Sequence, residues 1–505
     1  MDWLILPPFL IPFAGVIATL LVRRHRSWRA GVALTTMLVA LGFSLYLAWV
    51  VIFQGQTLAL QAGLWPVPAG ITLVADPLAV FMLVMTQVVL AMGILYATGT
   101  IEKVAQYPTF YSVFLGLATG MSGVFLSGDL FNLFVFAELI VISGAVLTGM
   151  ADDKFGIEAS YKYLVISTVG ALLFLLGIGV LYAEHKTLNL AQLAQSINSG
   201  PYSAFTLAGL AFLTATFLTK SAGFPFHFWQ PDFHTAAPTP VHAVLSSVVV
   251  KVGVYGFFRI TLMLFPGFEL LKNLLVVLGI IGVIYGGLGA AGTYSVKRML
   301  AYSTMSQLGF IMIGIGWGTS LALVGALVFA FNHALAKAAM LMMAGAMASR
   351  TPNKSASFSD VVGVGKLSPF AGILFLLGGM ALAGIPPLNG FVSKLLIFWS
   401  GIQAGQFIAL AIVGVASIVT LSYVARSFMK IWFEPNPDAK PKQGDSLLAP
   451  AILVGLSLLL GIWSGPLVGA AEIVVENLSQ PANYIGVVNA LPQVLEATFN
   501  GLPIR

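Results

Sequence analysis

The chain has 505 residues with a formal net charge of +6, and only 8% of its positions are charged against 58% hydrophobic. Soluble domains carry about 25% charged residues, so the composition excludes a water-soluble globular protein. Cysteine is absent, which excludes iron–sulfur clusters, c-type haem, Cys-ligated zinc, disulfides and a thiol nucleophile.

Apolar runs of about 20 residues, the length that crosses a ~30 Å hydrocarbon core, recur along the chain. They are continuous rather than alternating, which predicts helices and not a transmembrane barrel. The first, residues 1–22, carries Asp2 and no basic leader; Arg23, Arg24, Arg26 and Arg29 follow it. That order predicts a retained span, not a cleaved signal peptide. Fourteen spans are expected, near 2–22, 29–52, 78–98, 109–127, 130–150, 157–182, 203–233, 239–264, 270–291, 299–317, 319–349, 369–402, 404–433 and 447–467. The longest polar loops are 350–368 and 434–446, no soluble domain fits between spans, and the mixed tail 468–505 is expected along the surface.

Sixteen cations fall in loops after odd-numbered spans, among them Lys297, Arg298, Lys354, Lys440 and Lys442; only Lys186, Lys272 and Arg505 fall on the other side. By the positive-inside rule this bias predicts cytoplasmic odd loops and both termini outside. The basic balance therefore reflects topology, and no nucleic-acid partner is expected.

Two spans are unusually long and each is interrupted: Ala222-Gly223-Phe224-Pro225 in the seventh, and Ala383-Gly384-Ile385-Pro386-Pro387 in the twelfth. Paired Gly/Pro breaks at corresponding places point to inverted repeats around a transport site. The two broken spans stand five positions apart, an odd step, so equivalent segments run in opposite directions.

Five cations lie inside spans, Lys220, Lys251, Arg259, Lys337 and Lys394, with Glu138 the one carboxylate deep within a span. Each such charge costs ~2.5–3.5 kcal/mol at the bilayer centre, so these six facing lipid would cost roughly 15–20 kcal/mol. They must face protein, water or each other. Glu138 has no charged neighbour on its own helix and is expected to pair with a lysine of another, as an entrance switch or as a structural ion pair. Lys220 precedes Pro225 by five residues, and the proline frees backbone carbonyls that can hold water or ions. Lys251 sits mid-span, and Lys394 follows the second break. His333 and Lys337 are spaced i,i+4 on one face, reading as a relay or as a core histidine beside a structural lysine. Arg259 keeps its proton and reads as a snorkelling or structurally paired residue. His227, His234 and His242 surround the first break and could extend a wet path, although His234 and Asp232 near the mouth also suit an ordinary surface role. Asp76 and Asp129 precede helices and read as N-caps.

Gly287-Leu288-Gly289-Ala290-Ala291-Gly292 spells GxGxxG, but within a span, with no preceding strand and no acid about 20 residues on, so helix packing is expected there rather than a dinucleotide. With no metal-ligand cluster or nucleophile triad either, no cofactor, metal or catalytic residue is expected. A purely structural scaffold is disfavoured, since it would gain nothing from buried lysines.

Three stretches together resemble one family: Gly128-Asp129-Leu130-Phe131-Asn132-Leu133-Phe134-Val135-Phe136-Ala137-Glu138, Ser221-Ala222-Gly223-Phe224-Pro225-Phe226-His227-Phe228-Trp229-Gln230-Pro231-Asp232, and Ala236-Ala237-Pro238-Thr239-Pro240-Val241. They are similar to the antiporter-like subunits shared by Mrp-type Na+/H+ antiporters, the proton-pumping arm of respiratory complex I and membrane-bound hydrogenases. The likeness spans roughly residues 70 to 433. The Asp-Leu-Phe-Asn-Leu run and Val250-Lys251-Val252-Gly253-Val254-Tyr255 look most like the D-type subunits of the Mrp branch; the region around His234, Thr235 and Ala237-Pro238-Thr239-Pro240 is also close to the complex I and hydrogenase branches. The resemblance implies an all-α polytopic fold of fourteen helices with two inverted five-helix repeats, divided as 1–107, 108–264, 265–433 and 434–505. It implies Glu138 paired with Lys220, a central relay through Lys251, His333 and Lys337, and an exit at Lys394, where some relatives carry glutamate. It also implies work inside a hetero-oligomer of bacterial inner membranes, with Mrp-like A, B, C, E, F and G partners, protons and Na+. A redox-driven complex is the alternative setting.

Overall fold

The computed structural model describes residues 2–65, 67–68, 70–435 and 443–500; Lys440, Lys442 and Arg505, counted above for orientation, lie outside them. Among the described residues the regular structure is helical apart from one two-stranded hairpin. After a short 3-10 turn, Asp2–Ile5, come α1 (Pro7–Leu21) and α2 (Arg26–Ala48), which runs on through a π segment to Phe53. The hairpin, β1 (Leu58–Gln61) and β2 (Thr72–Ala75), pairs antiparallel with Leu58 opposite Ala75. α3 (Pro77–Thr98), α4 (Phe110–Leu126), α5 (Leu130–Gly149), α6 (Lys154–His185), α7 (Leu190–Ile197) and α8 (Ala204–Lys220) follow. Past the first break come α9 (Gln230–Ala236), α10 (Thr239–Val244), a π segment Leu245–Val249 and α11 (Lys251–Arg259), the last three forming one apolar helix to Leu264. α12 (Glu269–Gly292), α13 (Val296–Trp317), α14 (Ser320–Ser349), the single turn α15 (Val364–Leu367) and α16 (Pro369–Ala383) lead to the second break. The chain closes with α17 (Asn389–Gln403), α18 (Phe407–Trp432), α19 (Leu448–Ile462), α20 (Gly465–Leu478) and α21 (Pro481–Asn500).

Helix starts follow local chemistry. Asp76 accepts a hydrogen bond from Ala79 N ahead of α3, Asp129 from Phe131 N and Asn132 N ahead of α5, and Asp153 from Gly156 N ahead of α6, each satisfying a free first-turn donor.

Among the described residues nine helices are long and apolar enough to cross a membrane, and α1, α4, α8 and α16 are shorter apolar ones. The nine differ in where they sit. The apolar windows of α3, Thr239–Leu264, α13 and α14 are 83–100% buried, whereas those of α2, α6, α12 and α18 are 33–39% buried. The first set is therefore an inner bundle, and the second presents large apolar side chains such as Leu172, Leu176, Leu288 and Ile418 outward, as a lipid-facing ring must. The chain is a multi-pass membrane protein.

The basic loops meet at one end. Arg29 donates to Tyr107 O at 2.7 Å, Ile101 N donates to Asp445 Oδ1 at 2.8 Å, and Arg350 donates to Asp445 O at 3.2 Å. At the other end the hairpin ties down the start of α5: Gly128 N donates to Thr72 O, and Asn189 Nδ2 to Thr72 Oγ1, both at 2.9 Å.

Two expectations are corrected. Residues 2–5 form a 3-10 turn and the first helix starts at Pro7. The tail is not a surface appendage: α20 bends 79° from α19 and buries Leu467, Ala471, Val474 and Val475 against α3 and α14, while Tyr484 and Val488 of α21 are also buried. Its apolar residues recur at helical spacing and need an interior face.

Candidate functional site: a buried line of lysines

α8 ends at Lys220 because the chain turns sharply there. Ala222 adopts a positive φ of 51°, Gly223 follows, and the Phe224–Pro225 bond is cis. Lys220 Nζ lies 2.9 Å from Glu138 Oε1 on α5, with the two side chains 9% and 24% exposed. Beside them a cavity of about 10 Å³, lined by Tyr163, Ser167, Thr219, Lys220, Trp229, Val249 and Val252, reaches the helix that carries Lys251; that is the space of about one water molecule.

The approach of that helix depends on Gly253, where a Cβ would stand 2.6 Å from Ser221 Cβ. Lys251 lies two residues past the end of the π segment Leu245–Val249, a helix irregularity common at functional sites. It is fully buried, and Nζ meets His333 Nδ1 of α14. Lys337, one turn further along α14, turns away from Lys251. Its Nζ donates to Leu300 O at 3.1 Å and to Ser303 Oγ at 2.9 Å on α13, and Ser303 Oγ also accepts the Tyr423 hydroxyl of α18 at 2.7 Å. The shared face of His333 and Lys337 thus serves two partner helices.

At the second break α16 stops on Gly384, at φ 81°, before cis Pro386–Pro387. α17 folds back so closely that a Cβ at Gly390 would overlap Ala381 O. Lys394, 6% exposed, donates Nζ to Ala383 O at 2.7 Å and lies 5.7 Å over the Phe310 ring. The carbonyl it uses is one that the break frees from helix bonding.

The three histidines divide. His234 is buried, which removes the surface reading, and its ring lies 5.7 Å from that of His242. Neither ring has a hydrogen-bond partner among the described residues. Packing of α9 onto α13 covers His234, whereas Asp232 on the same short helix stays at the mouth and pairs with Arg298 at 2.9 Å. His227 sits in the first break with its ring 4.4 Å from Tyr285, on the α12 side. Arg259 does not snorkel: it makes a bidentate pair with Asp76 at 2.8 and 2.5 Å, both buried. Asp76 therefore serves as N-cap and counter-ion together. In the GxGxxG run Gly289 packs against the Tyr302 ring, whereas nothing stands within 4 Å of a Cβ built at Gly292.

Sequence reading missed Ser303, Tyr423, Asn332 and Asn389. A signal existed for the first: Ser303, Thr304, Ser306 and Gln307 crowd into one span, and α13 is the least apolar of the nine long helices.

Comparison with known proteins places this architecture. The family model described as NADH:quinone oxidoreductase/Mrp antiporter, TM, matches residues 127–420. The D subunit of the Na+/H+ antiporter of Alkalihalophilus pseudofirmus is 31% identical over 495 residues, covering 96% of this chain and 99% of that protein. The N subunit of the NADH-quinone oxidoreductase of Desulforudis audaxviator is 30% identical over 491 residues, covering 93% and 96%. A chain of the Mrp complex from Dietzia sp. DQ12-45-1b superposes with a TM-score of 0.85 at 25% identity, covering 97% of this chain and 99% of that one. The chain belongs to the NADH:quinone oxidoreductase/Mrp antiporter transmembrane family.

Proposed function

We propose that this chain is the ion-translocating D-type member of a multisubunit Mrp-type Na+/H+ antiporter, a transporter component rather than an enzyme. The single observation that carries the reading is the contact of Lys251 Nζ with His333 Nδ1. It joins the helix Thr239–Leu264 to α14 in the interior, with Glu138–Lys220 before it and Lys337 and Lys394 beyond. Protons cross by hops among these groups. Gain of the Glu138–Lys220 pair loads Lys220 and its loss releases the proton, and through electrostatics this drives Lys251 and then Lys337. His227, His234 and His242 extend the wet path. Lys394 is the far end.

The nine long helices, the four shorter ones and the bent pair α19–α20 make fourteen crossings. Spans 4–8 and 9–13 are inverted repeats, occupying residues 108–264 and 265–433, each with one break; 1–107 and 434–505 flank them. The basic loops face the cytoplasm, across a bacterial inner membrane, and both termini lie outside. Mrp-like A, B, C, E, F and G partners complete the assembly, and Na+ efflux is coupled elsewhere in it. The full-length likeness to a D-type antiporter relative supports this setting.

A second reading has its own support in the full-length likeness to an N-type relative from an NADH-quinone oxidoreductase: the same relay would then serve a redox-driven pump. Affinity purification of the native complex separates the two. Small antiporter proteins co-eluting support the first; iron–sulfur or nickel proteins co-eluting replace it with the second. The relay itself is tested by Na+/H+ exchange in everted vesicles carrying Lys251→Met or His333→Ala. Exchange is expected to be lost, and wild-type exchange in both variants would overturn the relay.

A further inference from the structure

The second break holds polar atoms that the relay above does not use. Asn332 of α14 donates Nδ2 to the backbone oxygen of Asn389, the first residue of α17, at 2.8 Å. A carbonyl only accepts, so this bond fixes the amide's orientation and leaves Asn332 Oδ1 as the free end. Among the described residues that oxygen has no partner, nor has either side-chain polar atom of Asn389, nor His333 Nε2. Asn332, Asn389 and His333 are 2%, 0% and 3% exposed. Native interiors leave few polar groups unpaired. Four such atoms around adjacent α14 residues and one helix break therefore mark a wet site. Lys394, whose Nζ bonds Ala383 O in the same break, lies further along α17.

We propose that Asn332 and Asn389 hold a bridging water at the second break, and that this water carries the proton between His333 and Lys394. The inference rests on the relay reading above and adds two positioning residues to it. A water has two hydrogens and two lone pairs. Asn389 Nδ2 donates to one lone pair, and Asn332 Oδ1 accepts one hydrogen. One hydrogen and one lone pair remain for transfer. Lys251 as ammonium donates to His333 Nδ1, which keeps the imidazole proton on Nε2. In the transfer the Lys251 N–H bond breaks and Nδ1–H forms; Nε2–H breaks and a water O–H forms; the other water O–H breaks and an N–H forms on a neutral Lys394 amine. One proton leaves Lys251, one arrives on Lys394, and the water is regenerated. Amides suit this place because they neither gain nor lose a proton in the working range, so they orient the water without trapping charge. A carboxylate at 389 would hold the Lys394 ammonium in an ion pair.

The Asn389 side chain makes no hydrogen bond among the described residues, so a merely packing role predicts that Asn389→Leu is harmless. The bridge predicts otherwise. In everted vesicles bearing the complete complex, Asn389→Leu is expected to slow Na+/H+ exchange about 100-fold, the scale of a lost proton-transfer group. Asn389→Ser returns a donor and an acceptor and recovers most of the rate, and Asn389→Asp stays slow. The residual exchange of Asn389→Ser carries a solvent deuterium isotope effect as large as the wild type's. Wild-type exchange in Asn389→Leu overturns the bridge. Should that variant fail to assemble, the isosteric pair Asn389→Thr and Asn389→Val decides: an active Thr and a slow Val support the bridge, and equal rates overturn it. Glu138→Ala and Lys220→Ala run alongside. If they lose exchange while the 389 variants keep it, the bridge falls and the relay stands; if all keep it, the relay falls.

Discussion

Glu138→Ala isolates the step on which the transport reading turns. It leaves Lys220 Nζ, now 2.9 Å from Glu138 Oε1 and 9% exposed, without a counter-charge among the described residues. Removing one partner of a buried ion pair costs about 3–5 kcal/mol. The Glu138 side chain retains 24% exposure, so water screens part of the pair and the lower end applies, about 3 kcal/mol. Where the pair must form once per transport cycle, 1.4 kcal/mol per tenfold makes that cost about a 100-fold slower exchange. The assay is Na+-driven pH change in everted vesicles from cells expressing the whole complex, with its abundance measured in the same membranes. Glu138→Ala and Lys220→Ala should each slow exchange about 100-fold at unchanged abundance, and the double variant should be no slower than either, because residues acting as one unit are not additive. Wild-type exchange in both single variants would refute the reasoning. A double variant slower by the product of the two effects would refute the pairing while leaving each residue a role.

Asp76→Ala strands the buried Arg259 guanidinium, so the purified complex should lose about 3–5 kcal/mol of stability while exchange per assembled complex stays near wild type; unchanged thermal stability would show that the pair does not hold the bundle. Gly390→Ala drives a Cβ into Ala381 O, and a thermal melt should show a loss of about 1–3 kcal/mol from overpacking, with slower exchange as Lys394 shifts from Ala383 O. Ser303→Ala removes the oxygen shared by Lys337 Nζ and the Tyr423 hydroxyl. An unpaired buried group costs about 1–3 kcal/mol, so exchange should slow about tenfold, and more than in Tyr423→Phe, which leaves the lysine bond in place.

The sequence by itself determined which side chains the interior had to accept. The cost of a charge in hydrocarbon belongs to a single residue and its place in an apolar run, so Glu138, Lys220, Lys251, Lys337 and Lys394 were legible without any neighbour in view. The same holds for the two helix breaks, since proline and glycine act on their own backbone, and for the N-caps at Asp76 and Asp129. Which group meets which was decided only by tertiary structure. Asp76 and Arg259 are 183 residues apart and form one ion pair; Lys337 bonds Ser303 on α13 while its helix neighbour His333 meets Lys251. Periodicity assigns a face to each helix, but partners depend on how closely and at what rotation helices pack, and close approaches at Gly253 and Gly390 set that here. His234 shows the same limit: its loop-like surroundings suggest water, and the lay of α9 over α13 buries it. A charge's need for shelter is written locally, whereas the shelter is assembled from helices far apart in the chain.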